Sequence, residues 1–202
     1  MKFLFDFDGP VTKHETFPII AAHFGAGEEM THLTRQAVTG EVDYETSLRS
    51  RVEMLGRYSV AEVSALLMSV ELNDGVVGFI KAHAEACAVV TSNLDCWCSR
   101  LIEEIGCQGF CSHAIVEGDR VKALARITKK EEVVEHFKSQ GETVVFVGDG
   151  HNDLEAMRHA DITVAAGLAH PPAPSLLPVA HHVVRSQQAI KALLDGLFKN
   201  LK

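Results

Sequence analysis

Residues 2–9 are Lys2-Phe3-Leu4-Phe5-Asp6-Phe7-Asp8-Gly9, an apolar run that ends in two acids placed two residues apart. The apolar part predicts a buried strand, so the acids fall at its C-terminal end, where open parallel sheets place their ligand crevice. Two carboxylates this close repel each other unless a cation or a proton joins them, which favours a chemical site. A solvated Asp-Gly turn explains the same residues equally well. Both interpretations stay open on this stretch alone.

Composition and length restrict the classes of protein that remain. The chain has 202 residues and a formal net charge of -8. This length suits one α/β domain with an inserted subdomain, and the charge argues against nucleic acid and anionic membranes as partners. No stretch approaches the roughly 18 apolar residues of a membrane span, and the acids at 6 and 8 interrupt the run that a signal peptide would need.

The cysteines favour a reducing environment. There are five, an odd number, and without a secretory signal we expect free thiols in a cytoplasmic protein. A zinc site built from Cys96, Cys98, Cys107 and Cys111 is disfavoured because no two of them have the Cys-x-x-Cys spacing. We expect these residues to be small apolar fillers on and after a helix.

Strand and helix patterns alternate along the second half of the chain. Strands are predicted at 88–91, 143–147, 162–164 and 182–184. Helices are predicted at 96–105, 130–139, 153–159 and 186–201, the last with apolar positions Ile190, Leu193, Leu194, Leu197 and Leu201. This alternation predicts an α/β fold with a Rossmann-like parallel-sheet core.

Two segments break the alternation. Residues of about 16–72 show helical periodicity with many charges, so we expect a small inserted helical bundle spanning 15–74 within a core formed by 1–14 and 75–202. Residues 167–180 contain four prolines and are predicted to be an irregular loop.

A second acidic cluster, Gly148-Asp149-Gly150-His151-Asn152-Asp153, follows the strongest predicted strand. Asp153 is explained as a helix N-cap, but a cap does not explain Asp149. If its strand neighbours the first one, Asp149 meets Asp6 and Asp8. Three carboxylates select a hard cation, most simply Mg²⁺.

Two more motifs are compatible with a phosphate site. Ser92 ends the strand at 88–91 and is followed by Asn93, so a hydroxyl and backbone N–H groups face the same crevice; a simple helix cap is the alternative. Lys129 and Lys130 begin a helix, where a cation is unfavourable unless an anionic site compensates it. A solvated helix end is the alternative for this pair.

Taken in order, these motifs resemble the haloacid dehalogenase superfamily, and most closely its phosphoserine phosphatase-like members. The residues that carry the resemblance are Asp6-Phe7-Asp8-Gly9, Ser92, Lys130 and residues 148–154, together with Glu15-Thr16 and residues 40–52 of the insertion. The resemblance covers nearly the whole chain. It implies a helical cap over the sheet and a phosphatase for a small phosphorylated metabolite, phosphoserine first, in serine biosynthesis.

The resemblance also implies a role for each acid. Asp6 would be the nucleophile and form an aspartyl phosphate, while Asp8 would protonate the leaving alkoxide and then activate water. Mg²⁺ would be held by Asp6, Asp149 and the backbone carbonyl of Asp8, with Asp153 in support.

Phosphate and substrate contacts follow from the same resemblance. Phosphate oxygens would be bound by Ser92, Asn93, Asn152 and Lys130, with Lys129 as the substitute if the register slips by one. Glu15 and Arg51 stand where cap residues clasp an ammonium and a carboxylate; ordinary helix-surface ion pairs are the alternative. Val38 and Tyr44 would be apolar cap contacts that exclude water.

Some residues depart from the family pattern. Pro10 replaces a Thr or Val, Asn93 and Leu94 replace two glycines, and His151 replaces a smaller residue. The pocket is therefore expected to be smaller or differently shaped. Phosphoryl transfer to a second alcohol and a non-catalytic phospho-ligand binding protein are the competing hypotheses, and either a monomer or a homodimer is compatible with the sequence.

Overall fold

A seven-stranded sheet forms the centre of the computed structural model, which describes residues 1–200. The strands are β1 (Lys2–Phe5), β2 (Cys87–Leu94), β3 (Gln108–Glu117), β4 (Arg120–Arg126), β5 (Val144–Gly148), β6 (Ile162–Ala166) and β7 (His182–Val184). Their order is β4-β3-β2-β1-β5-β6-β7, and every neighbouring pair is parallel except β3 and β4. The predicted α/β fold with a parallel-sheet core is confirmed.

Strand β1 lies in the middle of the sheet, between β2 and β5. Phe3 and Phe5 pack into the apolar cluster on one face, and Leu4 packs into the cluster on the other. All three side chains are fully buried. A strand covered on both faces needs a continuous apolar run, which is why residues 2–5 do not alternate with polar residues.

Helices cover both faces of the sheet. They are α1 (Thr16–His23), α2 (Gly27–Thr39), α3 (Tyr44–Gly56), α4 (Val60–Leu67), α5 (Asp74–Ala82), α6 (Asp95–Ile105), α7 (Lys130–Ser139), α8 (Leu154–His159) and α9 (Gln187–Asn200). The first four follow one another without a strand, as expected for an inserted bundle. The exact division into 15–74 and the rest stays a prediction. Within residues 1–200, no helix is long and apolar enough to cross a membrane.

The structure differs from the sequence-based elements at several places. The hairpin β3–β4 was not predicted. Strand β2 continues past Thr91 to Leu94 with a register shift between Val90 and Leu94. The loop at 167–180 includes one 3₁₀ turn, Pro174–Leu176. Leu201, predicted as an apolar position of the last helix, lies outside the described residues.

Candidate active site

The two acidic motifs meet at the C-terminal edge of the sheet. Asp6 directly follows β1 and Asp149 directly follows β5, and the parallel register pairs Phe5 with Val147. The Asp6 N–H donates to the carbonyl of Val147 at 2.9 Å, which fixes the backbone at this point. The expectation that the two strands are neighbours is confirmed.

The turn after β1 needs glycine and a buried amide. Gly9 has φ 87°, and a Cβ at Gly9 would lie 1.8 Å from Asp149 Oδ2, so no larger residue fits. Asn73 Nδ2 donates to the carbonyls of Gly9, Pro10 and Thr12 at 2.6, 3.0 and 3.1 Å. Sequence reasoning missed Asn73 because a single Asn ahead of a helix resembles any cap.

Lys130 is the lysine that the fold brings into the acidic cluster. Its buried Nζ lies 2.7 Å from Asp6 Oδ1 and 2.6 Å from Asp153 Oδ1. Lys129 points away and lies 3.7 Å from Glu132 in an exposed pair. The alternative of a solvated helix end is therefore wrong for Lys130 and right for Lys129.

Asp153 occupies the N-cap position of α8, but its side chain does not cap this helix as the helix-cap explanation predicted. Instead Oδ2 accepts the N–H groups of Asp149 and Gly150 at 2.9 and 3.0 Å, while Oδ1 accepts from Lys130. Asp153 thus fixes the backbone of the Gly148–Gly150 turn and orients the Lys130 side chain.

Three buried acids, Asp6, Asp149 and Asp153, bring carboxylate oxygens within 4.8 Å of one another. Burial and the neighbouring acids, Asp153 for Asp6 and Glu15 for Asp149, raise the pKa of both carboxyls. Asp149 Oδ2 is buried without a hydrogen-bond partner; His170 Nε2 lies 3.2 Å away but is not aligned to donate. An all-oxygen set with an unpartnered buried carboxylate oxygen fits a divalent metal ion.

Asp8 lies beside this set with a different environment. Its Oδ1 accepts the N–H of Thr16 at 2.7 Å. Burial, followed by the charge of Glu15, raises the pKa of Asp8 to about 7. A carboxyl with that pKa is present in both protonation states near neutral pH, so it can donate and accept a proton.

Ser92 and Asn93 lie in the irregular part of β2 and do not cap a helix. The N-cap of α6 is Leu94, without a side-chain bond, so the helix-cap alternative for Ser92 is wrong. Asn93 Nδ2 donates to Thr16 Oγ1 at 2.8 Å, and Asn93 Oδ1 accepts the Leu94 N–H at 2.7 Å. Asn93, which stands where the family has a glycine, therefore links β2 to the start of α1 through its side-chain amide.

Arg51 is buried, and none of the ion pairs among the described residues includes it. Its guanidinium lies 4.9 Å from the ring centre of Phe17 and 5.7 Å from that of Tyr44. Nε donates to the carbonyl of Ser47 at 3.3 Å, and one terminal nitrogen has no partner. The surface ion-pair alternative for Arg51 is therefore wrong.

Most predicted site residues line one small cavity beneath α2 and α3. Its lining consists of Asp6, Asp8, Glu15, Phe17, Ala37, Val38, Tyr44, Arg51, Thr91, Ser92, Asn93, Asp149 and Asn152. Glu15 also lies 3.4 Å from His170 Nε2, a contact that sequence reasoning missed because His170 is in the proline-rich loop. The fold gathers both the acids and the proposed specificity residues into one space.

Comparison with known proteins identifies the family. A sequence model of the haloacid dehalogenase-like hydrolases matches residues 3–161. The chain belongs to this family. Two relatives of the hydrolase are named phosphoserine phosphatase: one from Methanocaldococcus jannaschii, 29% identical over 80% of this chain and 83% of the relative, and one from Halobacterium salinarum, 27% identical over 95% of each.

Solved structures agree with this family. A substrate-bound phosphoserine phosphatase complex superposes on the hydrolase with a TM-score of 0.82 and 25% identity, covering 96% of this chain and 97% of that one. A phospho-aspartyl intermediate analogue of phosphoserine phosphatase gives a TM-score of 0.80 and 26% identity, covering 95% and 97%. The sheet and the inserted helices thus follow an architecture seen in enzymes of this kind.

Proposed function

We propose that the protein is a Mg²⁺-dependent phosphatase for small phosphomonoesters, with phosphoserine as its substrate. The observation that carries the proposal is the buried cluster in which Lys130 lies between Asp6 and Asp153 while Asp149 keeps an unpartnered oxygen. Relatives named phosphoserine phosphatase, which align along most of the chain, support the same substrate class.

Asp6 is the proposed nucleophile. Its carboxylate attacks the phosphorus of the substrate and forms an aspartyl phosphate. The Lys130 ammonium and the Ser92 hydroxyl, with Asn152, stabilise the charge on the transferring phosphoryl oxygens. Asp8 protonates the leaving alkoxide oxygen and later takes a proton from the water that hydrolyses the aspartyl phosphate.

The proposed metal ligands are Asp6, Asp149 and the backbone carbonyl of Asp8, with Asp153 in support. When bound, Mg²⁺ neutralises part of the phosphate charge, so that an anionic nucleophile can approach. Two neighbouring residues position the Asp149 ligand. Gly9 has no side chain that would clash with the Asp149 carboxylate, and Asp153 accepts a hydrogen bond from the Asp149 N–H.

Substrate choice is assigned to Arg51 and Glu15. A buried guanidinium without a counter-ion is costly, and a substrate carboxylate would supply the missing partner in a two-pronged contact. Glu15 at the other side of the cavity would take the substrate ammonium, in place of its contact with His170. Glu15 and Arg51 line the same cavity and carry charges opposite to the ammonium and the carboxylate of phosphoserine.

We further propose that residues 15–74 act as a cap on the core formed by 1–14 and 75–202. Val38 and Tyr44, from α2 and α3, line the site cavity and support this role. The charge of -8 supports a protein without a nucleic acid or anionic membrane partner, and the free cysteines support a cytoplasmic location. The proposal includes a monomer or homodimer that acts on a small phosphorylated metabolite.

A phosphate-release assay over a panel of phosphomonoesters tests the function. The panel contains phosphoserine, glycerol phosphate and an aryl phosphate, each with Mg²⁺ and with EDTA. We expect release that requires Mg²⁺ and a kcat/KM that is highest for phosphoserine. Release from none of them would reject a phosphatase, and equal kcat/KM for all three would reject phosphoserine as the substrate.

A further inference from the structure

Two cysteines outside the proposed active site face each other. Cys98 on α6 is fully buried, and its Sγ lies 3.5 Å from Cys111 Sγ on β3. Cys98 Sγ also lies 3.1 Å from the carbonyl oxygen of Leu94, so its single S–H has two acceptors within reach, this oxygen and Cys111 Sγ. Neither thiol contacts the acidic cluster, so the proposed reaction leaves this pair without a role.

Access to the pair is through Cys111. This half-buried residue lines an open cavity of about 460 Å³ between α6, β3 and α7. The cavity wall also carries His113, Arg126 and Lys129 among other residues. A small oxidant can therefore reach Cys111 from solvent, whereas Cys98 is fully buried.

The five thiols differ in acidity. Burial raises the pKa of Cys87 and Cys96 to about 12 and that of Cys107 to about 11. A hydrogen bond from the Cys98 S–H to Cys111 lowers the pKa of Cys111, whereas the same hydrogen bond and burial raise the pKa of Cys98. Since the thiolate is the form that reacts with peroxides, Cys111 is the most reactive of the five.

We propose that Cys98 and Cys111 are an oxidisable dithiol, a modification site that hydrogen peroxide converts into a disulfide. The Cys111 thiolate attacks one peroxide oxygen, the O–O bond breaks, and hydroxide leaves and takes up a proton as water. The sulfur of Cys98 then attacks the resulting sulfenic acid, and its proton leaves with the hydroxyl as a second water. Two thiols lose two electrons in total, and one peroxide is reduced to two waters.

The disulfide changes the junction between β2 and α6. When Cys98 Sγ bonds to Cys111, its S–H is lost and can no longer donate to the carbonyl of Leu94. Trp97, the single tryptophan of the chain, is buried next to Cys98. Because a neighbouring disulfide quenches tryptophan fluorescence, Trp97 reports the modification independently of any enzymatic activity.

The test treats the full chain, first reduced, with a small excess of hydrogen peroxide. Peptide mass spectrometry after alkylation locates any disulfide, and Trp97 fluorescence is followed before and after dithiothreitol. We expect two of the five thiols to disappear, a Cys98–Cys111 disulfide, and quenching that dithiothreitol reverses.

Variants separate this pair from the other thiols. Cys111→Ser should abolish both disulfide and quenching, and Cys98→Ala or Cys98→Ser should leave a sulfenic acid on Cys111 that dimedone traps. Cys107→Ser, the matched control, should behave as wild type. A disulfide through Cys96 or Cys107, unchanged quenching in Cys111→Ser, or no disulfide at all would overturn the proposal.

Discussion

The two buried cations of the site, Lys130 and Arg51, differ in whether an acidic side chain neutralises them. Although burial lowers it, the charges of Asp153 and Asp6 raise the pKa of Lys130, so this lysine stays protonated. Arg51 is buried against aromatic rings with an unpartnered nitrogen. Lys130 is therefore already neutralised within the fold, whereas Arg51 still lacks the anion that would compensate its burial.

Replacing Arg51 should affect only substrates that carry a carboxylate. Arg51→Met keeps an unbranched apolar stem against Phe17 but removes the charge. We expect KM for phosphoserine to rise about 10- to 100-fold, the value of hydrogen bonds to a charged group, with little change for an aryl phosphate. Steady-state kinetics on both substrates measures this, and equal losses on both would contradict the clasp.

At the scale of elements, the end of α2 touches the second acidic motif. Gly40 ends α2 with φ 79°, and a Cβ there would lie 2.6 Å from the imidazole of His151. His151 Nδ1 is in turn 2.8 Å from Ser175 Oγ in the proline-rich loop. His151, which departs from the family pattern, thus joins the inserted helices to the edge of the sheet.

This contact predicts a coupling between Gly40 and His151. Gly40→Ala adds both left-handed strain, about 1 kcal/mol, and a clash with the ring, about 1–3 kcal/mol. Gly25→Ala is a matched control, because Gly25 has φ 77° and nothing within 4 Å of its added Cβ. We expect urea unfolding to give a larger loss for Gly40→Ala than for Gly25→Ala.

In the His151→Ala background the extra loss should disappear, leaving the two alanine variants equally destabilised. The double-mutant cycle isolates the pairwise part of the effect from the strain that both glycines share. A loss for Gly40→Ala that is the same with and without His151 would refute the contact.

Elements with strong apolar runs could be predicted, and the hairpin β3–β4 could not. Residues 3–5 and 144–148 are buried along their whole length, which leaves a continuous apolar run in the sequence. In β3 and β4 most positions are exposed or half-buried, so neither an apolar run nor clean alternation marks them. The acids at 6, 8 and 149 were predictable because they follow such runs, whereas Asn73 and His170 reach the site only through tertiary contacts.

At the scale of the whole molecule, the buried carboxylates of the site are unfavourable in their charged form and lower the stability of the metal-free fold. Burial and neighbouring acids raise the pKa of Asp6, Asp8 and Asp149, so the metal-free fold binds protons more tightly than the unfolded chain does. For Asp8, the unfolded carboxyl loses its proton near pH 3.8 and the folded one near 7. The stability from this group is therefore present at low pH and is lost as the pH rises through that window.

Bound Mg²⁺ should offset this loss of stability at higher pH. In EDTA, we expect the contribution of Asp8 to lower the Tm as the pH rises from 5 to about 8, and Asp8→Asn to have a flatter profile. Added Mg²⁺ should raise the Tm more at pH 8 than at pH 5, because protons compete with the metal for the carboxylates. Thermal unfolding followed by circular dichroism measures both effects; a Mg²⁺ effect that is equal at the two pH values would count against a carboxylate site.

In the proposed reaction, Asp6 carries the phosphoryl group between substrate and water. Acid-quenched samples of wild type, Asp8→Asn and Asp6→Asn, taken during turnover of an aryl phosphate with Mg²⁺, are digested and analysed by mass spectrometry. We expect a phosphorylated peptide containing Asp6, which is more abundant in Asp8→Asn because hydrolysis of the aspartyl phosphate is slowed. In Asp6→Asn we expect neither this peptide nor turnover. Phosphate on another residue, or phosphate release by Asp6→Asn at the wild-type rate, would contradict the proposed reaction.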